Sequence, residues 1–157
     1  VFRVPGCGNG LAAAMNINIK PFMFKEEHMV SFVDFEEINA WRSAKKLTYD
    51  IYQTTNQGAI SKDYFLKDQL RRSTTSVMAN IAKGFGRNGT NEFIYFLAIA
   101  KGSIGEVGSL LFVALDQGYI DQTKFHILTK SAREIGLLIG GLISCLQKSR
   151  LKGTKYK

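Results

Sequence analysis

Residues 69–106 read QLRRSTTSVMANIAKGFGRNGTNEFIYFLAIAKGSIGE, from Gln69 to Glu106, two helix-forming segments joined by a glycine-rich turn. In the first, Leu70, Thr74, Val77 and Ile81 recur three or four residues apart, the spacing of one helix face. The other side carries Arg72, Ser76, Ala79 and Lys83. Arg72 and Lys83 stand about three turns apart and so share a stripe. In the second segment Phe93, Leu97, Ala100, Ile104, Val107 and Leu111 form one apolar face, while Ile94, Phe96, Ile99, Leu110 and Val113 carry hydrophobicity round to others. A helix apolar nearly all round is buried on more than one side. A four-helix bundle covers only one side of each helix, so the surplus predicts oligomerisation.

Working outward, a first helix is expected over 35–56. Asp34 and Glu37 have the spacing of a capping box, and Val33 can staple onto Ile38. Ile38, Trp41, Ala44, Thr48, Ile51 and Tyr52 supply its buried face, and Gly58 ends it. The second helix is expected from Ser61 as N-cap, with Ile60 stapled to Phe65 and Asp63 in the positive first turn, to about Gly84. The third runs from Gly89 or Thr90 to Gln117, with Gly118 as a left-handed cap. Asp121 caps the fourth and Ile120 can staple onto Phe125. There Phe125, Leu128, Ala132, Ile135, Ile139, Leu142 and Leu146 step by three and four, and Gly136, Gly140 and Gly141 permit close helix approach.

These lengths and short connections predict an all-α, antiparallel up-down-up-down four-helix bundle over 34–149, oligomeric through the surplus apolar surface. Residues 150–157 form a basic, fraying tail. Residues 1–33 have no sustained helical period; they are expected to be poorly ordered or to derive from upstream translation or cloning, with Met15 and Met29 as candidate starts.

The 157 residues are 45% hydrophobic, enough for a core, and the only prolines are Pro5 and Pro21. Both points favour helices and exclude wholesale disorder. The net charge of +8 is uneven. Lys62, Lys67, Arg71, Arg72, Lys83 and Arg87 face only Asp63 and Asp68 between positions 61 and 88, and the segment from Asp121 onward is also strongly basic. This concentration favours a polyanionic partner. The longest apolar run, Ile135–Leu146, falls short of the ~20 residues a bilayer needs. No secretory signal is recognisable, so the cytoplasm is expected, without membrane association.

Cys7 and Cys145 belong to no metal or redox spacing, and Cys145 reads as a buried small hydrophobe. Gly84, Gly86 and Gly89 spell G-x-G-x-x-G, but a dinucleotide fingerprint follows a strand, and here a helix precedes it. Neither His28 nor His126 has Glu three residues before it, which removes a di-iron bundle site. Ser73, Ser76, Ser103 and Ser109 have no histidine placed to act as base. Asn88-Gly89-Thr90 is a chance glycosylation sequon. No catalytic residue, metal or cofactor is therefore expected.

Ser73, Ser76 and Asn80 can bond across to Ser103 or Glu106 and set helix register as a structural polar network. The candidate nucleic-acid-binding set is Arg71, Arg72, Lys83, Arg87 and Lys101, because phosphate contacts need charge and placement rather than a motif. No recognition helix, RRM aromatic motif or zinc finger supports sequence-specific base reading.

Gln69-Leu70-Arg71-Arg72-Ser73, Ala79-Asn80-Ile81-Ala82, Gly84-Phe85-Gly86-Arg87, Glu92-Phe93 with Phe96-Leu97, and Gly102-Ser103 with Glu106 form an extended pattern. Over roughly Phe35 to Lys148 it resembles the four-helix-bundle family encoded in intervening sequences of bacterial 23S rRNA genes. That family is similar to the accessory proteins of diversity-generating retroelements. The resemblance implies assembly into a cyclic homo-oligomer, a homopentamer of four-helix bundles, whose basic surface binds nucleic acid and, in the retroelement branch, a reverse transcriptase. Lys83 stands where the family usually has Glu, Met78 where it has Pro and Gly89 where it has a capping Ser; the first adds positive charge to the stripe.

Overall fold

The computed structural model describes residues 2–4 and 30–153, with side chains placed from Phe32 to Lys148. Four α-helices make the body: α1 (Asn39–Thr55), α2 (Tyr64–Gly86), α3 (Thr90–Asp116) and α4 (Gln122–Gly153). Helix α2 packs on α1 and α3, and α4 packs on α3 and α1, which closes a four-helix bundle. Strand β1 (Phe2–Val4) pairs antiparallel with β2 (Val30–Phe32), Phe2 opposite Phe32, in the segment to which the sequence assigned no element. Phe32 is buried in the core. The expectations for residues 5–29, including His28 and Cys7, and for 154–157 lie outside the described residues.

The entry to α1 differs from the expected box. A single 3-10 turn, Phe35–Glu37, precedes the helix, and Ile38 between them is extended and buried. The Asp34 side chain caps nothing; Glu37 Oε2 instead accepts the Val33 backbone N–H at 2.9 Å. The staple changes too. Val33 is exposed, and Phe35 closes the turn edge-on against Trp41, ring centroids 5.1 Å apart. The buried face is Ala40, Ala44, Leu47, Ile51 and Thr55, with Trp41 and Thr48 half-buried and Tyr52 exposed.

At α2 the cap is Asp63, not Ser61: Asp63 Oδ1 accepts the Leu66 N–H at 3.0 Å. A 3-10 turn, Ala59–Lys62, displaces the helix start by two residues, and Ser61 Oγ donates back to the Gly58 carbonyl. Ile60 is buried, but Phe65 lies off the Leu66–Leu70–Val77 stripe and is exposed rather than stapled. Helix α2 extends through Gly86, and the positive φ that follows belongs to Asn88 (58°), not to a glycine.

The bounds of α3, the cap of α4 and both named core faces fall where expected. Gly118 (φ 68°) ends α3 in a Schellman motif, with Gly118 N–H donating to Leu115 O and Tyr119 N–H to Ala114 O. Asp121 Oδ1 accepts the Lys124 N–H at 2.7 Å, and Ile120 and Phe125 are both buried. All seven heptad positions of α4 and all six of the named α3 face are buried. The helix α4 continues past Leu146 into the expected tail. Helix α3 is long and apolar enough to cross a membrane by length and composition. Its buried face packs on α2 and α4, and Lys101 and Glu106 interrupt its apolar character.

Candidate nucleic-acid interface

The α2–α3 pair is held at two levels. Near the turn, Gly84 lets the helices approach: a Cβ there would sit 2.8 Å from Phe96 Cβ and 2.9 Å from Phe93 Cδ2. Farther along, Asn80 Nδ2 donates to Ser76 Oγ at 3.0 Å and to the Ser76 carbonyl at 2.8 Å. Ser76 Oγ lies 3.0 Å from Ser103 Oγ, and Ser103 donates to the Ile99 carbonyl. Donation can thus run one way along this chain of hydrogen bonds, Asn80 to Ser76 to Ser103 to the Ile99 carbonyl. Two members of the expected network stand apart from this relay. Ser73 donates to Gln69 O in its own helix, because its hydroxyl reaches the preceding turn, and Glu106 is exposed.

This bracing fixes the direction of α2 and therefore of its charges. Arg72 and Lys83 are both exposed on α2, roughly 16 Å apart along its axis. Arg72 lies 3.8 Å from Asp68 one turn earlier, an exposed pair that neutralises little. Arg87, just beyond the helix, places its guanidinium 5.9 Å from the Phe96 ring centre. The other two candidates lie on different sides. Lys101 reaches over Gly140 of α4, whose added Cβ would be 3.6 Å from Lys101 Nζ. Arg71 is half-buried between α1 and α2. Its Nε donates to Thr55 Oγ1 at 2.8 Å and its NH2 to Asn56 Oδ1 at 2.7 Å, with the guanidinium 4.6 Å from the Tyr52 ring centre. Arg71 therefore clamps the α1–α2 connection as well as carrying charge.

Residues 36–141 match the sequence profile of the 23S rRNA-intervening sequence protein family. The chain belongs to that family. Among solved structures it is similar to a protein of unknown function from the S23 ribosomal protein family of Bacteroides thetaiotaomicron, determined at 1.70 Å. The two share 22% identity with a TM-score of 0.62, over 67% of this chain and 95% of the other. That likeness establishes the fold alone. No curated protein matches the chain in sequence.

An aromatic–cation cluster at the start of α2 was not foreseen from the sequence. Tyr64 and Phe65 are 76% and 75% exposed, and Lys67 Nζ sits 4.7 Å from the Tyr64 ring centre. The signal was available. Both residues fall outside the α2 core spacing, but assigning Phe65 to a staple removed it from the surface. The Tyr119 hydroxyl, donating to Asp63 Oδ2 at 3.2 Å, was also unforeseen. Burial, then the Asp63 charge and hydrogen bond, hold the Tyr119 phenol above its usual pKa. Among the described residues, no group of three or more His, Cys, Asp or Glu is placed to hold a metal ion.

Proposed function

We propose that this protein is a non-enzymatic, cytoplasmic, oligomeric bundle that binds structured RNA or DNA through phosphate contacts, without metal or cofactor. The observation that carries this is the stripe of Arg72 and Lys83, solvated on one face of α2 and continued by Arg87. Lys and Arg so placed can neutralise successive phosphates without reading bases. Up-down-up-down order and a cyclic homo-oligomer, a pentamer by resemblance, belong to this reading. The short connections support the first, and exposed Tyr95, Ile99 and Val113, on one side of α3, support the second.

That same apolar face favours a second reading, an assembly module whose ring holds a protein partner such as a reverse transcriptase, with nucleic acid secondary. Fluorescence anisotropy with a structured RNA and a matched DNA duplex, over a salt series, separates the two. Binding should fall steeply with salt, and Arg72→Glu/Lys83→Glu should weaken it with a salt slope shallower by about 2. No binding at low salt, or undiminished binding by a variant of unchanged oligomer size, would overturn the nucleic-acid reading.

A further inference from the structure

We infer that the surface at the start of α2, where Tyr64 and Phe65 stand out beside Lys67 and Arg71, stacks unpaired bases of a single-stranded nucleic acid. The inference rests on the proposed nucleic-acid binding and adds a second mode to it. Two adjacent aromatic rings, each about three-quarters exposed, make no contribution to the core of this bundle. They border an open concavity of about 490 Å³ whose other lining residues are Lys67, Asp68 and Arg71.

The cations are held in place beforehand. Lys67 Nζ donates to the Ser61 carbonyl at 2.8 Å while lying over Tyr64. Arg71 is fixed by Thr55 and Asn56 over Tyr52, and these bonds engage two of the five donors a guanidinium carries. Of the acids nearby, Asp63 caps α2 and accepts from Tyr119, while exposed Asp68 stays in the lining, 3.8 Å from Arg72, and leaves the two cations in excess over one carboxylate. Exposed rings with fixed positive charge beside them match a ligand that is both planar and anionic, which is what a nucleotide with a splayed base presents. A purely apolar peptide would have to desolvate both cations. Arg72 is eight residues from Tyr64, about 12 Å along the helix. A paired-to-unpaired junction could therefore set duplex phosphates on the stripe and free bases here.

The test uses three labelled probes: a single strand of about 12 nucleotides, an abasic strand of equal length, and a blunt-ended, fully paired duplex without a loop. Tyr64→Ala/Phe65→Ala should bind the base-bearing strand about tenfold or more weakly, while its affinity for the abasic strand and the duplex stays at the wild-type level. Tyr64→Phe/Phe65→Tyr should keep single-strand affinity. Both substitutions lie at exposed positions, and circular dichroism should be unchanged. Equal loss on all three probes, or no loss on the base-bearing strand, overturns the stacking surface. If the aromatic variant instead changes oligomer mass and leaves strand binding intact, the patch is a subunit contact and the inference fails. Duplex binding that depends on Arg72 and Lys83 but single-strand binding indifferent to the aromatics sinks this inference alone. Absence of binding to every probe sinks both readings.

Discussion

Asp63 joins two parts of the chain with one carboxylate. Oδ1 caps the first turn of α2, and Oδ2 receives the hydroxyl of Tyr119 from the α3–α4 connection. Ionising Tyr119 would place two negative charges side by side, and its pKa is raised accordingly, burial contributing most. A phenol whose pKa is higher folded than unfolded favours the folded chain fully below its ordinary value of about 10. That contribution is lost as pH climbs through the folded value, because the unfolded chain releases the proton first. Urea titrations of wild type and Tyr119→Phe should therefore differ most at pH 7 to 9, with the gap narrowing above about pH 10. A constant gap would mean that folding does not raise the Tyr119 pKa. The acid in the first turn was legible from the sequence, but its selection as the cap was not. The 3-10 turn that displaces Ser61 depends on Ile60 being buried against the rest of the bundle, which no local spacing reveals. Arg71 makes the same point: charge was legible, whereas Thr55 and Asn56 as its partners lie 16 and 15 residues away.

Elements were legible where their repeat was long. The α4 heptad and the α3 face emerged intact because seven or six core positions in phase outweigh local ambiguity. The turn between α2 and α3 was located correctly, but what requires each of its glycines was not legible. Gly84 is helical and buried, and the atoms that require it belong to Phe93 and Phe96 of the next helix. Gly86 has nothing within 4 Å of an added Cβ. The two positions should respond with opposite signs. Gly84→Ala forces the helices apart, a cost of about 1–3 kcal/mol that the ~1 kcal/mol gain in helix propensity does not offset. Gly86→Ala should be neutral or stabilise by a few tenths of a kcal/mol (about half the interior value, at a helix end). Chemical denaturation of both variants decides it, and a destabilised Gly86→Ala would show that the turn needs glycine for its backbone after all.

At the scale of the whole molecule, the α3 face and the α2 stripe pose separate questions. Ile99 and Val113 are 14 residues apart, two heptads on one face, and both remain exposed in the single chain together with Tyr95. Between them the face is small or polar, at Gly102, Glu106 and Ser109. The proposed assembly covers this surface with another copy; a head-to-tail contact gives a ring where its rotation closes and an open filament where it does not. Ile99→Glu/Val113→Glu should then give a folded protein of lower sedimentation mass with unchanged helical signal, because neither side chain belongs to the buried face. Arg72→Glu/Lys83→Glu should leave that mass untouched. Adding salt should strengthen or leave intact the apolar assembly while it weakens phosphate binding, since screening acts on charges and not on buried hydrocarbon. If the Ile99/Val113 variant kept its mass but lost nucleic-acid binding, the α3 face would itself contact the polyanion, and the division of labour between the two helices would have to be abandoned.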